Sequence, residues 1–125
     1  ALPICRIPHE ELLGSGLIQH ARAFVTASVT ENQPMTVIEA ICCGVPIVVP
    51  DVRGIRELLD GNGLLFPRAD VESLAARMIR IASDDELYGE FRSRSFAFRN
   101  RFDGRSVAEE FEGVYRELLE ASRQE

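Results

Sequence analysis

The side chains with the most chemistry to offer lie in the stretch TENQPMTVIEA, where Glu31 and Glu39 are separated by seven residues. Pro34 falls between them at a position that suits the first residue of a helix, since the N–H it lacks would be unpaired there anyway. A helix opening at that point presents N–H groups of residues 33 to 37 outward, and with the helix dipole these make an anion site that needs no lysine. The two carboxylates flank that site and can accept hydrogen bonds from neutral hydroxyls. Phosphate beside polyhydroxyl is the chemical outline of a sugar nucleotide. A plainer reading stands next to it: Thr36-x-x-Glu39 matches a capping box, and Glu31 alone would be a solvated loop acid. The box, however, starts the helix at Thr36 and leaves Pro34 outside it. Taken together, the residues favour a ligand site.

The elements around this stretch set where it can sit. Apolar spacing predicts a helix over residues 9–21, weakened by Gly14 and Gly16, and a short strand over 23–28. A helix over 34–43 follows, stopped by Gly44. VPIVV, residues 45–49, is a continuous apolar run of strand length, as expected for a strand buried on both faces. A short helix over 55–59, a strand over 64–66, and helices from Asp70 or Val71 to 82, over 85–102 and over 106–122 complete the pattern. This alternation predicts an α/β fold, a Rossmann-like parallel sheet flanked by helices. Ligands bind beyond the carboxyl ends of such strands, and the Glu31 loop leaves one of them. Asp51 and Arg53 follow VPIVV at the same edge and are read as turn residues, with a ligand contact as the alternative.

The composition narrows the function classes. The 125 residues make one domain, with 46% apolar and 27% charged residues, as in ordinary soluble proteins. The first residues do not resemble a signal peptide, so a cytoplasmic location is expected, membrane-peripheral in a longer enzyme. Lysine is absent and the 14 basic residues are all arginine, which excludes a lysine nucleophile or a P-loop lysine. Neither G-x-G-x-x-G nor G-x-x-x-x-G-K-S/T occurs, which counts against dinucleotide oxidoreductases and P-loop enzymes. Net charge is −6, so no nucleic-acid partner is expected. FRSRSFAFRNRF, residues 91–102, is accordingly read as a core-facing stripe of Phe91, Phe98 and Phe102 covered by arginine stems. Cys5, Cys42 and Cys43 lack metal-ligand spacing and are read as reduced and structural, with the adjacent Cys42 and Cys43 as small buried thiols of a helix. His9 and His20 have no partner at ligand or catalytic spacing.

ENQPMTVIEAICCGVPIVVPDVRGIRELLDGNGLLFP resembles the donor-binding half of retaining GT-B glycosyltransferases of family 4, the glycosyl transferases group 1. Four ordered blocks carry the likeness: Glu31 with Glu39; Ala40 to Val48; Gly54, Ile55 and Glu57; and Gly63 to Pro67. Phe102 and the segment from Ser106 to Leu119, with Tyr115, match the closing helix region. The resemblance implies a hexosyltransferase acting on a nucleoside-diphosphate sugar with retention of configuration. It implies Glu31 at the donor sugar as a positioning group rather than a nucleophile, and Glu39 at the ribose. Donor contacts are implied for Asn32, Gln33, Pro34, Met35 and Thr36, with main-chain N–H groups of Gln33 to Thr36 near the sugar and diphosphate. No metal and no cofactor beyond the donor are implied.

This sequence departs from the family pattern in its loop, which reads E-N-Q-P-M without the usual glycine. The family's N-terminal acceptor domain, and a basic pair expected upstream of Ala1, are outside the sequence. The expectation is therefore a single donor-binding domain over residues 1–125, with closing helices at about 106–122, that is inactive alone. Its expected partners are the nucleotide-sugar donor and the acceptor domain of the same enzyme, with a lipid or saccharide acceptor and with self-association of the isolated domain. One alternative is a non-catalytic module of transferase type that serves as an interaction partner or regulator. Another is a sugar-nucleotide epimerase of the same general fold, against which E-x7-E discriminates.

Overall fold

The computed structural model describes residues 7–30 and 34–122. The VPIVV run becomes the central strand, but it begins later than its apolarity suggests. β1 is Phe24–Val25, β2 is Ile47–Pro50 and β3 is Gly63–Phe66. They form one parallel sheet in the order β1-β2-β3, with Phe24 opposite Ile47 and Ile47 opposite Gly63. Val45 and Pro46 stay outside β2 because Val45 donates its N–H to the Ala40 carbonyl and Pro46 has none to give. All four residues of β2 are buried, as a strand covered on both faces must be. β1 is shorter than the expected 23–28, and among the described residues it pairs with β2 alone.

Alternation along β2 divides the core in two. Ile47 and Val49 face a cluster with Val37, Ala40 and Ile41 of helix α2 (Met35–Cys42), together with Ile55. Val48 faces the other side, against Phe66, Ile81 of helix α3 (Val71–Ser83) and Phe91 of helix α4 (Asp85–Phe98). Phe98, at the far end of α4, returns to the first cluster, so α4 joins the two. Asp70 and Asp84 begin α3 and α4 by accepting the N–H groups of Ser73 and Leu87, both at 2.9 Å. Arg22, just before β1, locks the joint between these helices. It donates to the Ile81 carbonyl at 2.9 Å, pairs with Asp85 at 2.6 Å and lies over the Tyr88 ring.

Two glycines are fixed by contact. Gly44 ends α2 with φ +74°, its N–H reaching Ile41 and the next N–H reaching Ala40, and the Phe96 ring covers it so closely that a Cβ would collide. At Gly63 a Cβ would run into the Ile47 carbonyl oxygen of the neighbouring strand.

Several boundaries differ from the sequence pattern. Helix α1 is His9–Gly14 alone, and Gly16 (φ +74°) turns the chain away from the expected continuation to 21. Residues 56–58 form a 3₁₀ turn, and the helix expected to reach 102 ends at Phe98, with a 3₁₀ turn over Arg99–Phe102. Phe91 and Phe98 are buried and Phe102 is half-buried, as the stripe requires. Phe96 is instead 38% exposed, with the Arg92 and Arg99 guanidinium groups each 5.3 Å from its ring centre. Helix α5 (Gly104–Ser122) has no buried residue and presents Phe111, Val114, Tyr115, Leu118 and Leu119 along one exposed side. Among the described residues no helix is long and apolar enough to cross a membrane.

The cysteine expectation is corrected in part. Cys42 is exposed and Cys43 half-buried, because the inward positions of α2 are taken by Val37, Ile38, Ala40 and Ile41. Partial burial raises the pKa of both thiols, with Cys43 and Glu39 adding to the rise at Cys42 and Glu39 at Cys43, so neither is an activated nucleophile. Cys5 lies outside the described residues.

Candidate functional site

Of the residues singled out between the two glutamates, Glu31, Asn32 and Gln33 lie outside the described residues. Pro34 stands one place earlier than expected, capping α2 in an extended conformation (φ −76°, ψ 92°) rather than forming its first helical residue. Its carbonyl accepts the N–H groups of Val37 at 3.0 Å and Ile38 at 3.2 Å. The N–H groups of Met35 and Thr36 precede the first in-helix acceptors and so point out of the helix end. Thr36 is the second residue of α2, not its cap, and the capping-box alternative for Glu39 therefore does not apply.

Glu39 is half-buried and, with Thr36, lines a cavity of about 260 Å³ along the flank of α2. The other walls are apolar: Leu12, Leu17, Ile18, Ala21, Phe24 and Val45. α1 and the turns after it supply most of them, so Gly16, which bends that segment, shapes the cavity. An apolar slot with one carboxylate and one hydroxyl suits a ring system that also carries hydroxyl groups.

A second cavity, of about 390 Å³, lies at the carboxyl ends of all three strands. Val29 and Thr30 follow β1, Asp51, Val52, Arg53 and Arg56 follow β2, and Arg68 follows β3. Asp51 ties the rim together: its N–H donates to the Phe66 carbonyl at 2.8 Å and its carboxylate pairs with Arg56 at 3.1 Å. Asp51 and Arg53 both line the cavity, Asp51 at the bend after β2 and Arg53 in the turn that follows, so the two alternatives for these residues meet in one place. Glu57 accepts the Gly54 N–H at 2.7 Å, where the backbone takes φ +89°, so its place in the motif is explained by loop closure. Asn62 does the same for the next loop. Fully buried, it accepts the Asp60 N–H at 2.8 Å. Sequence reasoning singled out neither Arg56 nor Arg68. Their signal was available only as arginines placed just after the ends of two predicted strands.

Comparison with known proteins points in one direction. The family model described as glycosyl transferases group 1 matches residues 14–84. The O-antigen chain mannosyltransferase B of Escherichia coli is 28% identical over 112 residues, which cover 90% of this chain and 29% of that protein. The phosphatidyl-myo-inositol mannosyltransferase of Mycolicibacterium smegmatis is 31% identical over 87 residues, covering 68% of this chain and 22% of that protein. Among solved structures, sucrose-phosphate synthase from Thermosynechococcus elongatus superposes with a TM-score of 0.77 at 26% identity. The match covers 94% of this chain and 30% of that one. The chain thus spans less than a third of the length of these relatives.

Proposed function

The chain belongs to the group 1 glycosyl transferases, and from that premise we propose that it is the donor-binding domain of a GT-B transferase. In this reading the enzyme moves a hexose from a nucleoside-diphosphate sugar to a saccharide or lipid acceptor with retention of configuration, in the cytoplasm or at its membrane surface. The observation that carries the reading is Glu39 on the wall of an apolar cavity beside the N-terminal turn of α2. Apolar walls accept the flat face of a base, and the carboxylate accepts hydrogen bonds from ribose hydroxyls. The outward N–H groups of Met35 and Thr36 then stand ready for the diphosphate.

The remaining roles follow the family pattern. Glu31 orients the sugar through its hydroxyls, and Asn32, Gln33 and Pro34 bring main chain close to it. The leaving diphosphate is stabilised by the helix terminus as charge develops on it, and no metal is assigned to that step. The exposed apolar side of α5 supports docking of the acceptor-binding part of the enzyme on this helix, with association between copies as the competing use.

Isothermal titration of the folded chain with UDP, GDP, ADP and their sugars tests this. One nucleotide series should bind, and Glu39→Ala should weaken it by about tenfold or more, the loss expected when hydroxyl contacts to a charged acceptor disappear. Failure of every nucleotide to bind a chain with a cooperative melting transition would sink the reading.

A further inference from the structure

We propose that Arg53, Arg56 and Arg68 form a second ligand site on this chain, one that takes the phosphate or diphosphate group of an ester. The inference goes beyond the donor-binding reading and does not rest on it, because the arginine cavity and the Glu39 cavity have no lining residue in common.

Charge is the first reason. The chain carries a net −6, yet among the described residues that line this cavity three guanidinium groups meet one carboxylate, Asp51. Asp51 is already paired with Arg56. Among the described residues Arg53 and Arg68 form no ion pair and no hydrogen bond, whereas Arg94 and Arg116 pair with Glu90 and Glu112. Two like charges that cannot be deprotonated repel each other in one cavity. A dianion placed between them removes that repulsion, and the guanidinium fork matches phosphate oxygens two at a time.

Backbone is the second reason. Both arginines stand on turns that are tied down. Arg53 precedes Gly54, whose N–H is held by Glu57, and Arg68 lies in the Pro67 to Asp70 turn, closed by the Asp70 N–H on the Pro67 carbonyl at 3.1 Å. Ala69 in that turn takes φ +60°, a conformation most residues avoid, so the turn holds its shape against a local preference. The Asp51 N–H bond to Phe66 links the two turns. The cavity of about 390 Å³ has room for a diphosphate, and it opens at the carboxyl ends of parallel strands, where such sheets bind ligands.

Two sources share this chemistry: the donor's own diphosphate, and a phosphate carried by a second substrate. Titration of the folded chain with inorganic pyrophosphate tests the site. Binding should be present, should weaken as salt rises, and should fall by about tenfold or more in R53A/R68A. Both side chains are exposed, so that variant should melt like the parent chain. An unchanged affinity in a normally melting R53A/R68A overturns the site. So does an equal loss in R80A/R105A, which removes two exposed arginines elsewhere, because the attraction would then be diffuse.

A competition arm separates the sources. Exclusion of pyrophosphate by a nucleoside diphosphate, with R53A/R68A weakening that nucleotide too, assigns the site to the donor. Pyrophosphate binding beside a saturating nucleotide assigns it to a second phosphorylated substrate. Glu39→Ala keeps the two proposals apart, since it should weaken nucleotides and leave pyrophosphate binding intact. If no nucleotide binds but pyrophosphate still responds to the arginines, the donor reading falls and the anion site stands.

Discussion

Two cavities border the same small sheet, and they are built on opposite principles. The one along α2 has walls of leucine, isoleucine and phenylalanine with a single carboxylate, Glu39. The one at the strand ends has three arginines over Val52. The first is made by Leu12 of α1 and the turns after it, closed by Phe24, Val45 and the flank of α2, so its shape follows the core. The second is made by three loops that converge only because their strands are parallel and adjacent. The contrast teaches that a parallel sheet supplies two kinds of site: a slot between covering helices, where desolvation does the work, and a rim, where unpaired charge collects.

The comparison can be broken most severely at Gly63. Gly63→Ala forces a Cβ against the Ile47 carbonyl oxygen and drives β3 from β2, at a cost of about 3 kcal/mol or more. Denaturant melts should record that loss, and both cavities should lose their ligands together. Ligand binding at either cavity by a Gly63→Ala chain of parental stability would show that the strand spacing does not support the sites.

A milder change should separate the cavities. Glu57→Ala releases the Gly54 N–H and loosens the turn that carries Arg53, for about 0.5–1 kcal/mol of stability. Pyrophosphate binding should weaken while nucleotide binding is kept. If both weaken equally, the two sites are coupled through the loop and are not independent.

The smallest effect concerns acid. Asp70, which begins α3 two residues after Arg68, is held below the usual carboxylate range by the Ser73 N–H and hydroxyl. A carboxyl whose folded pKa is lowered contributes stability above its unfolded pKa and loses it as pH falls through the folded value. Acid melts should therefore show a slight extra loss below the usual carboxylate range, and Asp70→Asn should flatten it. An unchanged acid profile in Asp70→Asn would remove Asp70 as the source.

Much of the fold was legible because it rests on local rules. VPIVV announced a strand covered on both faces, Gly44 a left-handed helix stop, and Asp70 a helix start, since each depends on neighbours within a few residues. The resemblance to the group 1 transferases was legible for a related reason. Two of its blocks hold structural necessities: Gly63 for close strands and Glu57 for loop closure. The motif therefore records backbone demands as well as ligand contacts.

Other features could not be read from one dimension. The two-residue length of β1 is set by how far it runs beside β2, and the exposure of Cys42 by which face of α2 meets the sheet. Phe96, outside the predicted stripe, finds its place only in three dimensions, over Gly44 and beneath two arginines. Local propensity and apolar period sufficed for the helices, the central strand and the position of Glu39 on the first turns of α2. The meeting of Arg53, Arg56 and Arg68 needed the tertiary structure, because charges from separate loops acquire a shared cavity only once hydrogen bonding sets the strands side by side.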